Sequence, residues 1–164
     1  MMKNILKAVI LGGALLVTPF AHAQRTLEPI VNYENQEIRT ASGKTPSQAQ
    51  VKAAIEQAAK AGVPSARGQV WDLKEVAPGQ LVGTLDVRGK HTVMVSITFS
   101  PTAYSVTYKD SVNMHYGPAA EMERDPSSPI LIRAKPTGQF EIHPYYNRWV
   151  KALVNNIRLE IKKL

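Results

Sequence analysis

Between residues 70 and 108 the chain alternates apolar and polar side chains with a period of two, interrupted only by short turn sequences. Leu81, Gly83, Leu85 and Val87 alternate with Val82, Thr84, Asp86 and Arg88. Val93, Val95, Ile97 and Phe99 alternate with Thr92, Met94, Ser96 and Thr98, and Tyr104, Val106 and Tyr108 with Ser105 and Thr107. A strand beginning at Val70-Trp71-Asp72-Leu73 turns at Pro78-Gly79, and the following turns fall at Gly89-Lys90 and Ser100-Pro101-Thr102. Connections this short join only antiparallel neighbours, and strict alternation buries one face of the sheet. The expectation is a four-stranded antiparallel meander that needs a cover for its apolar face.

Two segments supply that cover. Thr45-Pro46-Ser47-Gln48 reads as a helix start, with Thr45 as cap, Pro46 in the first turn and Gln48 closing a capping box. The helix is expected to run to about Ala61, with Val51, Ala54, Ile55, Ala58 and Ala59 on one face and Gly62 as its stop. From about Pro144 to the end, Tyr146, Trp149, Val150, Leu153, Ile157, Ile161 and Leu164 follow helical spacing, with Arg148, Lys151, Asn155, Arg158 and Lys162 facing away. The fold class is therefore α+β: a two-layer domain with an N-terminal helix and a long C-terminal helix packed on one face of the meander. Residues 24–44 read as an extended arm, with an edge strand around Pro29-Ile30-Val31. Residues 117–142 carry Gly117, Pro118, Pro126, Pro129, Pro136 and Gly138, and read as a long loop with a short strand at Ile130-Leu131-Ile132.

The start of the chain has the three parts of a secretory signal: positive Lys3 and Lys7, an apolar stretch from Ala8 to Val17, and Ala21-His22-Ala23 before Gln24. That stretch falls short of the roughly 20 residues that span a bilayer. Residues 1–23 are expected to be removed, leaving residues 45–164 as one domain behind the arm, in the periplasm, with no transmembrane segment. With no cysteine there is no lipid anchor at the cleavage site, no disulfide and no thiol chemistry. The formal charge of +7 falls by two with Lys3 and Lys7, to +5. A moderate positive charge suits an envelope protein or an anionic envelope component as partner, and no basic stripe with interleaved aromatics points to nucleic acid.

The stretch Tyr104-Ser105-Val106-Thr107-Tyr108-Lys109-Asp110-Ser111-Val112-Asn113-Met114, followed by Ile142-His143-Pro144-Tyr145-Tyr146-Asn147-Arg148-Trp149-Val150, resembles a family of small proteobacterial periplasmic proteins and lipoproteins. Trp71 and Pro78-Gly79 belong to the same likeness, which spans roughly residue 45 to the end except most of 117–142. The chain departs from many members in lacking the lipoprotein cysteine. The resemblance implies compartment and fold, and no chemistry.

Asp110, Ser111 and His143 supply the residue types of a nucleophile triad, the basis for a hydrolase reading. No Gly-x-Ser-x-Gly elbow surrounds Ser111, and Asp110-Ser111 at a strand end and His143 before Pro144 suit capping bonds better. Asn113 and Asn147 suit the same role of pinning a strand end to a helix start. His91, His115 and His143 are the candidate metal ligands, yet none is paired at ligand spacing. Arg88, Thr98, Thr107 and Tyr145 are the candidate contacts for a ligand or partner, taken from the polar sheet face and from the aromatic start of the second helix. No cofactor is expected, and the leading reading is a non-catalytic binding or accessory module of the envelope.

Overall fold

The computed structural model describes residues 27–114, 117–124 and 132–164. The expected signal at 1–23 and His115 lie outside them. The meander forms as β3 (Asp72–Ala77), β4 (Gln80–Val87), β5 (His91–Phe99) and β6 (Ala103–Val112). It gains a fifth strand, β2 (Tyr33–Glu37), antiparallel to β6, giving the order β2-β6-β5-β4-β3. The arm thus contributes its edge strand further along than Ile30. Its earlier residues, β1 (Glu28–Pro29), join a second sheet instead.

That second sheet corrects the reading of 117–142 as a loop. β7 (Gly117–Arg124) and β8 (Ile132–Ile142) pair antiparallel, and β1 extends them in the order β1-β8-β7. The two described prolines of this hairpin, Pro118 and Pro136, fall where the ladder is incomplete. Pro118 is on the edge strand beside a bulge, and Pro136 lies beyond the residues, Glu141 and Ile142, that β1 reaches on the other side of β8. Of the strand expected at residues 130–132, only Ile132 is described, as the first residue of β8.

Helix α1 (Gln48–Ala59) buries Val51, Ala54, Ile55, Ala58 and Ala59, the face the spacing predicts. Its cap lies two residues later than expected. Ser47 Oγ accepts the Gln50 amide at 3.2 Å and Gln50 Oε1 accepts the Ser47 amide at 2.8 Å, so the box is Ser47/Gln50 rather than Thr45/Gln48. Helix α2 (Tyr145–Lys162) buries Tyr146, Trp149, Val150, Leu153, Val154, Ile157 and Ile161, and packs along α1. Both helices share one core with Leu81, Leu85, Val93, Val95, Ile97, Tyr104 and Val106 from the sheet. No helix among the described residues is long and apolar enough to cross a membrane.

Three turns shape the open ends of the sheet. At Pro78-Gly79 the glycine takes φ +75°, and any Cβ there would meet the Phe99 carbonyl oxygen at 2.9 Å. The β4–β5 turn is centred one residue earlier than expected, on Arg88-Gly89, both at positive φ, with the Lys90 amide donating to the Val87 carbonyl. After α1, a single 3-10 turn at Pro64–Ala66 ends on Arg67 in the left-handed conformation, φ 59° and ψ 35°.

The hydroxyl of Tyr146 is buried in this core and finds no partner among the described residues. Burial raises its phenol above the ordinary tyrosine range, with Tyr108 and Tyr33 adding to the shift. The native state therefore holds a proton that the unfolded chain releases near pH 10, and stability falls as pH rises through that value. Tyr146→Phe keeps the ring and removes the unmatched hydroxyl. Urea titrations should show stability unchanged or raised by up to about 1 kcal/mol at pH 7, with a weaker loss above pH 10.

Candidate functional site

The triad candidates are each committed locally. Strand β6 carries a bulge between its pairings with Met94 and Val95, which puts Ser111 on the same face as Tyr108. Ser111 Oγ lies 3.1 Å from the Tyr108 hydroxyl, and Asp110 Oδ1 accepts the Ser111 amide at 2.7 Å. His143 Nδ1 accepts the Tyr145 amide at 3.2 Å and so caps the start of α2, while its own amide donates to the Met114 carbonyl. Nδ1 must be unprotonated to accept that bond, and its lone pair is then engaged by the backbone amide rather than open to a serine hydroxyl.

His91 has the opposite tautomer. Its Nδ1 lies 2.8 Å from the Asn113 carbonyl oxygen, which can only accept, so Nδ1 carries a proton and is closed to a metal. Among the described residues no group of three or more His, Cys, Asp or Glu converges. Asn113 and Asn147 do pin neighbouring segments. Asn113 Nδ2 donates to the Lys90 carbonyl, and Asn147 donates to the Pro29 carbonyl while accepting the Val31 amide.

The partner candidates separate into two groups. Thr98 and Thr107 lie on the sheet face away from the helices, paired with Ser105 and Ser96, Thr98 exposed and Thr107 half-buried. Thr98 borders a shallow groove with Asn35, Gln80 and Ser105. Arg88 and Tyr145, by contrast, come together with His91 at the end of the sheet, around a cavity of about 250 Å³. Three elements build it. The β4–β5 turn supplies Arg88, Lys90 and His91, the 3-10 turn supplies Ser65 and Arg67, and α2 supplies Tyr145 and Trp149.

The electrostatics of this cavity are one-sided. No carboxylate lines it, and none of Arg67, Arg88 and Lys90 is in an ion pair among the described residues. The nearest acid in the turn, Asp86, accepts the Gly89 amide at 2.7 Å. On the apolar side the Tyr145 ring is 42 % exposed and stacks on Trp149 at 5.5 Å between centroids, with His143 at 4.4 Å on it. Trp149 is buried, and its indole N–H finds no acceptor among the described residues.

Arg67, Lys90, Ser65 and the pocket role of Trp149 carry no mark in the sequence pattern of either helix or the meander. The signal that links the two arginines is the dipeptide Arg-Gly, which occurs at Arg67-Gly68 and again at Arg88-Gly89, both times in a turn. Comparison with protein-family models, with curated proteins and with solved structures finds no match to this chain.

Proposed function

We propose that the chain is exported to the periplasm and acts there as a non-catalytic binding module, with the cavity between the β4–β5 turn, the 3-10 turn and α2 as its ligand site. Export rests on the positive, apolar and Ala-x-Ala segments of residues 1–23, and the motif likeness from Tyr104 onward supports the same compartment. The observation that carries the binding reading is the meeting of Arg88, His91 and Tyr145 with two further cations and a buried indole around one space that, among the described residues, no carboxylate lines. Binding sites of this kind combine an aromatic wall with a few directed polar groups. A hydrolytic role has less support, because Asp110, Ser111 and His143 are engaged in bonds to backbone amides or to a phenol.

A ligand that binds only the native state raises the melting temperature by mass action. A heat-cleared small-molecule extract of the bacterial envelope should therefore raise the melting temperature of the exported protein. The shift should vanish in Arg88→Ser/Tyr145→Ser and persist in Asp110→Asn/Ser111→Ala. An equal shift in the first variant, or none in the native chain, overturns the reading.

A further inference from the structure

Four described residues other than glycine adopt positive φ: Asn35, Arg67, Arg88 and Asn113. Asparagine tolerates this conformation because its short side chain bonds to nearby backbone; arginine has no such compensation. Both strained arginines line the same cavity, although they come from separate turns. Glycine or asparagine at either position would serve the turn better, so what the arginines contribute is their guanidinium groups. Strain held at two points of one cavity points to function.

The rest of the lining agrees. Lys90 adds a third permanent cation and Ser65 a hydroxyl. The lining is thus rich in donors and lacks carboxylate acceptors. A single carboxylate is satisfied by one bidentate arginine. Two guanidiniums and an ammonium exceed that need and match a phosphoryl group, with its higher charge and three terminal oxygens. The cavity is smaller than the roughly 300–1,000 Å³ of drug-sized pockets, which restricts the occupant to a compact group. The Tyr145 ring packs against Trp149 and His143, with the Arg148 guanidinium 5.8 Å from its centroid, and keeps part of its surface open beside the cations.

We infer that this cavity recognises a phosphate monoester carried on a small saturated ring, a sugar phosphate or a phosphorylated ring headgroup. The phosphoryl oxygens meet Arg67, Arg88 and Lys90, and the ring lies against Tyr145. The assignment rests on the binding-module reading above and names its ligand class.

Calorimetric titration of the exported protein with glucose 6-phosphate tests it, with glucuronate as the carboxylate control and glucose as the uncharged one. Glucose 6-phosphate should bind at least tenfold more tightly than glucuronate, and glucose should not register. Arg67→Gly and Arg88→Gly, which suit the local backbone and so should fold, should each weaken binding at least tenfold. Co-sedimentation with phosphatidylcholine vesicles containing phosphatidylinositol 4-phosphate separates the two sources. Binding in both formats assigns the site to a membrane headgroup, and binding in solution alone assigns it to a free sugar phosphate. Equal affinity for glucuronate, or affinity unchanged by both glycine variants, overturns the assignment. Should glucose 6-phosphate fail to bind while the envelope extract still raises the melting temperature, the phosphate assignment falls and the binding module stands. If both fail, both fall.

Discussion

Leu153→Ala should lower the free energy of unfolding by about 2–5 kcal/mol, while Leu159→Ala, six residues along the same helix, should change it by no more than about 0.5 kcal/mol. Alanine is at least as good a helix former as leucine, so helix propensity does not separate the two variants. Burial does. Leu153 has no exposed surface and belongs to the core that α2 shares with α1 and the sheet, whereas Leu159 is 58 % exposed. Truncating Leu153 forfeits the transfer of its side chain from water and leaves a cavity in the core that both helices share with the sheet. Urea-induced unfolding followed by tryptophan fluorescence reads both values, since Trp71 and Trp149 are buried in the native state. Similar losses in the two variants would mean that α2 does not pack on the sheet as described.

The same contrast explains which parts of the fold were legible in the sequence. Helical periodicity and strand alternation both record burial, so the buried face of α1 and the order β3-β4-β5-β6 follow directly from the spacing of Val51, Ile55, Leu81, Leu85, Val95 and Ile97. Strand β2 left a weak trace because it is short and mostly exposed: Tyr33 and Gln36 are half-buried and their neighbours are not. Its place is set by contacts distant in sequence, such as the Asn35 amide on Ser105 Oγ and the Ile38 amide on the Thr102 carbonyl. The hairpin of β7 and β8 was hidden by Pro118 and Pro136, which act as breakers in a central strand but not where the neighbouring ladder position is vacant. Caps shift by a residue or two for a related reason. Thr45 and Ser47 are both chemically competent, and only the path of the backbone selects Ser47.

The site was legible only in pieces. Arg88, His91 and Tyr145 stand out separately, for three different reasons, and nothing in their spacing shows that the β4–β5 turn and the start of α2 meet. Arg67 was invisible because a basic residue after a helix is an ordinary solvent-facing choice. What distinguishes it is its backbone conformation, set by the closed path from Val63 to Gln69, where the Val63 amide donates to the Gln69 carbonyl and the Gly68 amide to the Val63 carbonyl. Asp110, Ser111 and His143 show the converse. Residue types suited to catalysis also suit capping, and only the bonds they make decide between the two uses.

Arg67→Gly and Arg88→Gly should each raise stability by about 1 kcal/mol, and the double variant by somewhat less than the sum because either change alone relieves their mutual repulsion, a gain of several degrees in melting temperature. A left-handed conformation costs a residue with a Cβ roughly 1–2 kcal/mol, and glycine avoids that cost. Part of the gain is returned because glycine adds freedom to the unfolded chain. Removing like charges that share one cavity adds to the gain, more so at low salt. Most substitutions destabilise, and exposed arginines elsewhere offer a control. Arg148 lies in the first turn of α2 with ordinary helical geometry, its guanidinium 5.8 Å from the Tyr145 ring centroid, and Arg148→Gly should lose at least about 1 kcal/mol. Thermal and urea unfolding of the three variants therefore separate strain from charge. If the Arg67 and Arg88 variants lose stability as Arg148→Gly does, the two turns are not strained and the energetic case for a functional pair disappears. If they gain it, the native chain keeps two arginines against its own stability, as expected where a binding site and the fold make opposing demands on the same residues.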